Sequence, residues 1–270
     1  MLSAIVIIGL LLTFATGVPV AIQIGRKHPH GLFILFFAEM WERFSFYGMR
    51  TLLIFYLTQH FLFDDGFSSR TFGSFTTLAY LLPLLGGFVA DRYIGTRRAV
   101  AFGAVLLVAG HLLMAVEGPA ARQTLDVDGV RFDVQSVQHG DRHQLAVVLD
   151  GQTYELSQTD EGNLEVHGLP AAARLPGQLP QGRFTLSVEA RDPLYVGLLF
   201  LALSLIALGV GFLKGNISCL VGLLYPQGDV RRDAGFTLYY FGINLGSFWS
   251  AVLCGYLGFT YGWGWGFGLA

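Results

Sequence analysis

Residues 31–63 form one apolar run, yet it carries two acids and two bases, Glu39, Glu42, Arg43 and Arg50. Its length suits a transmembrane helix, which needs about 20 residues. At 100° per residue, Glu39, Glu42, Arg43, Phe46, Tyr47 and Arg50 share an arc of about 140°. Met40, Trp41, Phe44, Ile54 and Leu57 are left mostly to the other faces. One ionisable residue at membrane depth costs about 2.5–3.5 kcal/mol on insertion scales, and four on one face are hard to tolerate unless they pair or face a wet cavity. The stretch 39–50 therefore reads as a functional face.

Comparable apolar runs recur at residues 2–24, 72–90, 99–116, 194–213 and 236–258, and the closing TYGWGWGFGLA resembles the start of another helix. The chain is 13% charged, against about 25% for soluble domains, so an integral membrane protein in a lipid bilayer is expected. In the first run Arg26 and Lys27 follow the apolar stretch, the reverse of a secretory signal. By the positive-inside rule they stay cytoplasmic and place the N-terminus outside. Arg92, Arg97 and Arg98 label one later loop as cytoplasmic, and Arg231 and Arg232 another, which leaves the loop at 64–70 outside. A net charge of −2 with no basic patch excludes a nucleic-acid binder. Cys219 and Cys254 have no CxxC spacing and are expected to be buried structural thiols, with no disulfide framework or metal site. HExxH, nucleophile-elbow and phosphate-loop motifs are all missing, so neither an enzyme nor a cofactor is expected.

Composition changes at residue 118 and stays changed to 192, where six arginines face eleven acids, a net charge of −5 without a lysine. LDVDGVRFDV and LAVVLDGQTYEL each set Asp-Gly between alternating apolar residues, the short hairpin signal. GNLEVHGL and GRFTLSVEA add two strands. This is a small β-rich insert, and alternation of the apolar runs puts it on the outer, periplasmic side. His139, His143 and His167 lack ligand spacing, so no zinc site is expected. His111, alone on an apolar helix, reads as a satisfied core histidine.

Four stretches, EMWERFSFYGMR, GGFVADRYIGTRR, GFLKGNISCLVGLLYPQGDVRRDAGFT and YYFGINLGSF, together resemble the proton-dependent oligopeptide transporter family of the major facilitator superfamily. The resemblance runs in family order over most of residues 31–258, interrupted by the insert. It implies an all-α polytopic membrane protein, the N-terminal helix bundle of a major facilitator fold; the small β-rich extramembrane insert, read from the strand pattern, and the first apolar segment are not part of the family's common core. The expected divisions are an extra apolar helix at 1–24, a first part of the bundle at 25–117, the insert at 118–192, and a second part at 193–270 cut short in its sixth helix. The resemblance further implies a proton-coupling network of Glu39, Glu42, Arg43 and Lys214, and a peptide site lined by Tyr47, Arg50, Tyr80, Lys214 and Asn244. Its expected ligands are small peptides and protons, its expected partner a C-terminal helix bundle, and its expected place the bacterial inner membrane. Phe46 stands where a second tyrosine is common, and Gly215 where a proline usually follows the lysine.

The residues suggest how such a network works. A carboxylate in a low-dielectric cavity prefers to be neutral, while a neighbouring arginine or lysine favours its charge. A proton arriving at Glu39 or Glu42 would free a cation, and a freed Lys214 could meet a substrate carboxylate. That coupling predicts proton-driven symport of di- and tripeptides. The loop with Asp91, Arg92, Arg97 and Arg98 is expected to gate by pairing Asp91 with helix ends or arginines. From a different class, the chain could be a non-transporting sensor or scaffold using its acidic outer module, but a scaffold would not need the charged face.

Overall fold

The computed structural model of the protein describes residues 2–139, 142–159, 162–170 and 173–270. The helices are α1 (Leu2–Lys27), α2 (His30–Phe55), α3 (Asp65–Val89), α4 (Thr96–Met114), α5 (Pro193–Leu223), α6 (Arg232–Tyr261) and α7 (Trp263–Leu269). Wider π-type turns extend α2 through Tyr56–His60 and α3 through Ala90–Ile94. Between α4 and α5 lie the strands β1 (Arg122–Val127), β2 (Val130–His139), β3 (Arg142–Leu149), β4 (Gln152–Gln158), β5 (Leu164–Val166), β6 (Gln178–Leu179) and β7 (Phe184–Ala190). The chain separates into two units. The helical unit takes the N-terminal residues to Ile54, with Gly66–Glu117 and Gly197–Ala270; the other joins Phe55–Asp65 to Gly118–Val196.

In the helical unit α5 is the most enclosed span, with half of its apolar stretch buried. Close approach makes this possible. A Cβ at Gly103 of α4 would stand 2.7 Å from the Gly209 carbonyl oxygen of α5, so any larger residue would force the helices apart. On the other side α6 lies along α2, where a Cβ at Gly242 would stand 2.9 Å from the Phe36 ring. By contrast α1 is only 6% buried along its apolar stretch, and reaches α6 through Trp249 Nε1, which donates to Thr13 Oγ1 at 2.9 Å.

Among the described residues four helical stretches are long and apolar enough to cross a membrane: Ser3–Gly25, Asp65–Ile94, Thr96–Met114 and Pro193–Leu223. The helices α2 and α6 have the length, but their polar residues lower the mean hydropathy. Two sequence boundaries need correction. The stretch at 64–70 is not an extended outer loop, because α3 already starts at Asp65, an acid well placed against the positive helix N-terminus. Further along, α5 continues to Leu223, which puts Lys214 within the helix, more than two turns from its end.

The second unit is built on a seven-stranded antiparallel sheet in the order β6-β5-β4-β3-β2-β1-β7. Both Asp-Gly hairpins form where the sequence places them. Asp128 and Gly129 adopt φ of 51° and 85°, and Asp150 and Gly151 adopt 48° and 80°, as a two-residue turn with both centres left-handed requires. Alternation then sends Leu125, Val127, Val134, Val147, Leu156, Leu164 and Val166 into one core with Leu175 and Leu179. The short strand β6 had no pattern long enough to read.

Candidate functional site

The charged face of α2 is folded inward. Glu39, Glu42 and Arg43 are 2%, 7% and 2% exposed, which excludes a solvated salt bridge. Helical spacing brings Glu39 and Arg43 together one turn apart, with Arg43 Nε 3.0 Å from Glu39 Oε1. The same Nε is ion-paired with Glu42 Oε2, so one guanidinium serves two carboxylates. The sharing is incomplete: among the described residues Glu39 Oε2, both Glu42 carboxylate oxygens, and Arg43 Nε and Nη2 are buried without a hydrogen bond of good geometry, so the pairing is one of charge. Buried polar groups are normally satisfied, because each orphan retains its desolvation cost. A half-satisfied charged network is therefore the arrangement that a new proton or ligand most readily changes.

From α5, Lys214 lies within the electrostatic reach of Glu39, Glu42 and Arg43. Its Nζ sits over the ring of Tyr80, on α3, 4.4 Å from the centroid. Three helices thus contribute to one cluster. Arg50 lies farther along α2, its guanidinium over the Phe72 ring at 5.3 Å. Tyr47 is half-buried on α2, one helical turn beyond Arg43. On α6 Asn244 is exposed and donates from Nδ2 to the Tyr240 carbonyl at 3.0 Å, while Tyr80 and Tyr240 are 51% and 55% exposed. The structure therefore pairs Glu39 and Glu42 with Arg43 and sets Lys214, in their electrostatic reach, over Tyr80, while Arg50 meets the Phe72 ring and Asn244 the Tyr240 carbonyl.

Asp91, Arg92, Arg97 and Arg98 are all exposed. Among the described residues none of them forms an ion pair. His111 also departs from expectation. Both ring nitrogens are buried and unpartnered among the described residues, so it is not a satisfied core histidine. It lines a cavity of about 440 Å³ together with Trp41, Glu42 and Ser45 of α2. The other lining from α4 and α5 is apolar, and sequence alone could not show that neither Glu42 nor Ser45 makes a hydrogen bond to the ring. Of the two thiols Cys254 is buried against Gly48, whereas Cys219 is exposed rather than buried. In the second unit His167 is tied to the Ser157 hydroxyl at 2.6 Å; the side chains of His139 and His143 lie outside the described residues.

A second polar cluster, not foreseen from sequence, joins the α1–α2 junction to the loop before α6. Arg231 forms a fork on Asp229, with Nη2 to Oδ2 at 2.7 Å and Nε to Oδ1 at 3.0 Å, and donates from Nη1 to the Lys27 carbonyl at 2.9 Å. Beside it His28 Nδ1 lies 2.8 Å from the Tyr225 hydroxyl. Hydrogen bonds from Arg231 hold the Asp229 carboxyl down to about 2. Burial, then the Arg231 charge, pushes the His28 imidazole below its ordinary range.

Comparison with known proteins gives the same answer by three routes. The PTR2 model of the POT family matches residues 97–270. Peptide transporter YePEPT of Yersinia enterocolitica subsp. palearctica serotype O:3 (strain YE-P4) is 33% identical over 90% of this chain and 34% of its own length. Dipeptide and tripeptide permease A of Escherichia coli (strain K12) is 25% identical over 90% of this chain and 34% of its own. Among solved structures, a peptide transporter POT in complex with sulfate matches at 31% identity and a TM-score of 0.61, covering 90% of this chain and 35% of that one. A POT family transporter in complex with 5-aminolevulinic acid matches at 27% identity and a TM-score of 0.57, with coverage of 90% and 35%. The chain spans about a third of the length of the curated relatives it matches.

Proposed function

Because the chain belongs to the POT family, we propose that it supplies the N-terminal part of a proton-coupled symporter of di- and tripeptides in the bacterial inner membrane. The observation that carries this reading is the buried pairing of Glu39, Glu42 and one Arg43, with Lys214 in electrostatic reach and held against Tyr80. A fixed ion pair would be a poor device for packing helices, since desolvation largely cancels its attraction. A cluster with two acids, two cations and unmet hydrogen bonds is suited to exchanging a proton.

In the proposed cycle a proton neutralises one glutamate and weakens its hold on Arg43 and Lys214. The released Lys214 ammonium then turns from the Tyr80 ring to the carboxylate of an incoming peptide, assisted by Arg50. Tyr47 and Tyr80 flank the substrate, and Asn244 meets its polar backbone or amino end. Proton and peptide thereby act on one charge balance, and each biases the inward and outward states only by its different affinity for them. The loop bearing Asp91, Arg92, Arg97 and Arg98 serves as the cytoplasmic gate, the insert at 118–192 lies outside, and a C-terminal bundle supplies the opposite wall. The full-length protein with Glu42→Gln, reconstituted in liposomes, is expected to lose uphill dipeptide uptake driven by a pH gradient while retaining peptide exchange. Normal gradient-driven uptake in that variant would refute the coupling.

A further inference from the structure

The second unit carries a recess of about 620 Å³ at the end of its sheet, where β2 begins and the β3–β4 hairpin turns; residues 169–170 and 173–174 complete its lining. Strand register explains its floor. Leu125 stands opposite Phe132, Val147 opposite Tyr154, and Leu149 opposite Gln152. Opposite residues share a face of a sheet, so Phe132, Leu149 and Tyr154 belong to the face that bears the core residues Leu125 and Val147. Unlike those two they are only half-buried, as is Leu169, which packs against the same core. The apolar interior of the unit therefore continues into an open recess.

The rim has the opposite charge balance to the insert as a whole. Residues 118–192 carry six arginines and eleven acids, yet the charged residues lining the recess are Arg131, Arg174 and one acid, Asp150. The Arg131 side chain is 73% exposed, with Nε 3.6 Å from Asp126 Oδ2, too long for a hydrogen bond. Arg174 forms no ion pair among the described residues, while Leu175 next to it is rooted in the core. The Tyr154 hydroxyl donates to Gln152 Oε1 at 2.8 Å, which leaves its ring as a wall.

We propose that this recess is a binding site for a small carboxylate with an apolar body. The body covers Phe132, Leu149 and Leu169, and Arg174 takes the carboxylate, which a planar guanidinium matches with two parallel donors. The volume of about 620 Å³ is that of a small-ligand pocket, about 300–1,000 Å³. A cationic ligand is disfavoured by the two arginines, and a wholly apolar one would make no use of them. The end of an apolar peptide and a fatty acid share the required chemistry. None of these residues belongs to the charged cluster of α2, and the inference does not rest on the symport reading.

The test follows backbone hydrogen exchange by mass spectrometry in the full-length protein in lipid nanodiscs, with trileucine or octanoate added. Exchange at residues 130–132 and 148–154 is expected to slow with at least one of them. Slowing by trileucine assigns the site to peptide ends, and slowing by octanoate alone assigns it to fatty acids. The corresponding amides, which lack the negative charge, are expected to bind about tenfold or more weakly. Arg174→Glu is expected to weaken carboxylate binding as much, whereas Arg122→Glu, the same charge change on an exposed arginine outside the recess, leaves it unchanged. The proposal is overturned if neither carboxylate slows exchange there, if the amides bind equally well, or if Arg174→Glu binds as the wild type does. An equal loss in Arg122→Glu also overturns it, since the effect would then belong to the net charge of the insert. The comparison of acid with amide uses the wild type alone, so it decides the matter even if Arg174→Glu fails to fold.

Discussion

Arg43 is the residue on which the site turns, because its single guanidinium is shared by two buried carboxylates. Replacement by methionine, of similar length, keeps the packing and removes the charge. Arg43→Met is expected to destabilise the full-length protein by about 3–5 kcal/mol, since it leaves buried acids without their cation. The loss would be read as a lower melting midpoint at neutral pH and would diminish as the pH falls and the acids become neutral. An equal loss at every pH would make Arg43 a packing residue only. The sequence exposed this group through spacing alone: Glu39, Glu42 and Arg43 must share a helical face. It could not show that Lys214, 171 positions beyond Arg43, would rest on Tyr80, because contacts between helices depend on which faces meet. His111 shows the same limit, since an isolated histidine on an apolar helix looks alike with or without a partner across the interface.

At the scale of elements, local chemistry and long-range packing divide the work. The Asp-Gly turns at 128–129 and 150–151 form where written because few residues accept two successive left-handed centres. The helix pairs α4–α5 and α2–α6 depend on glycines whose partners lie over a hundred residues away, and no local pattern names those partners. The clasp of His28, Tyr225, Asp229 and Arg231 is of this second kind. His28 titrates below its ordinary 6.5 because burial opposes its charge. The stability from keeping it neutral is therefore present above pH 6.5 and is lost as the pH falls through the lowered folded value. Amide exchange at residues 27–31 of the full-length protein, taken relative to the intrinsic rate at each pH, is expected to accelerate between pH 7.5 and pH 5, and to lose that pH dependence in His28→Gln. Acceleration that persists unchanged in the variant would assign the effect to another group.

At the scale of the whole molecule, the two units carry different grammars. The helical unit reads as long apolar helices interrupted by buried charge, and the second as alternating strands in an acidic stretch of sequence. The proposed topology places the insert and the arginine loop on opposite sides of the bilayer. In a full-length protein with Cys219→Ser, a membrane-impermeant maleimide is expected to label Thr153→Cys in intact cells and Arg97→Cys only after permeabilisation. Labelling of both from outside would overturn that topology. By itself the sequence determined the long apolar helices, the hairpins and the charged face of α2, because hydropathy, turn geometry and helical periodicity act over a few neighbouring residues. Only the tertiary structure decided which groups complete that face. It set Lys214 on Tyr80, since in a dense apolar interior a polar atom's partner is whatever distant residue packing brings opposite it.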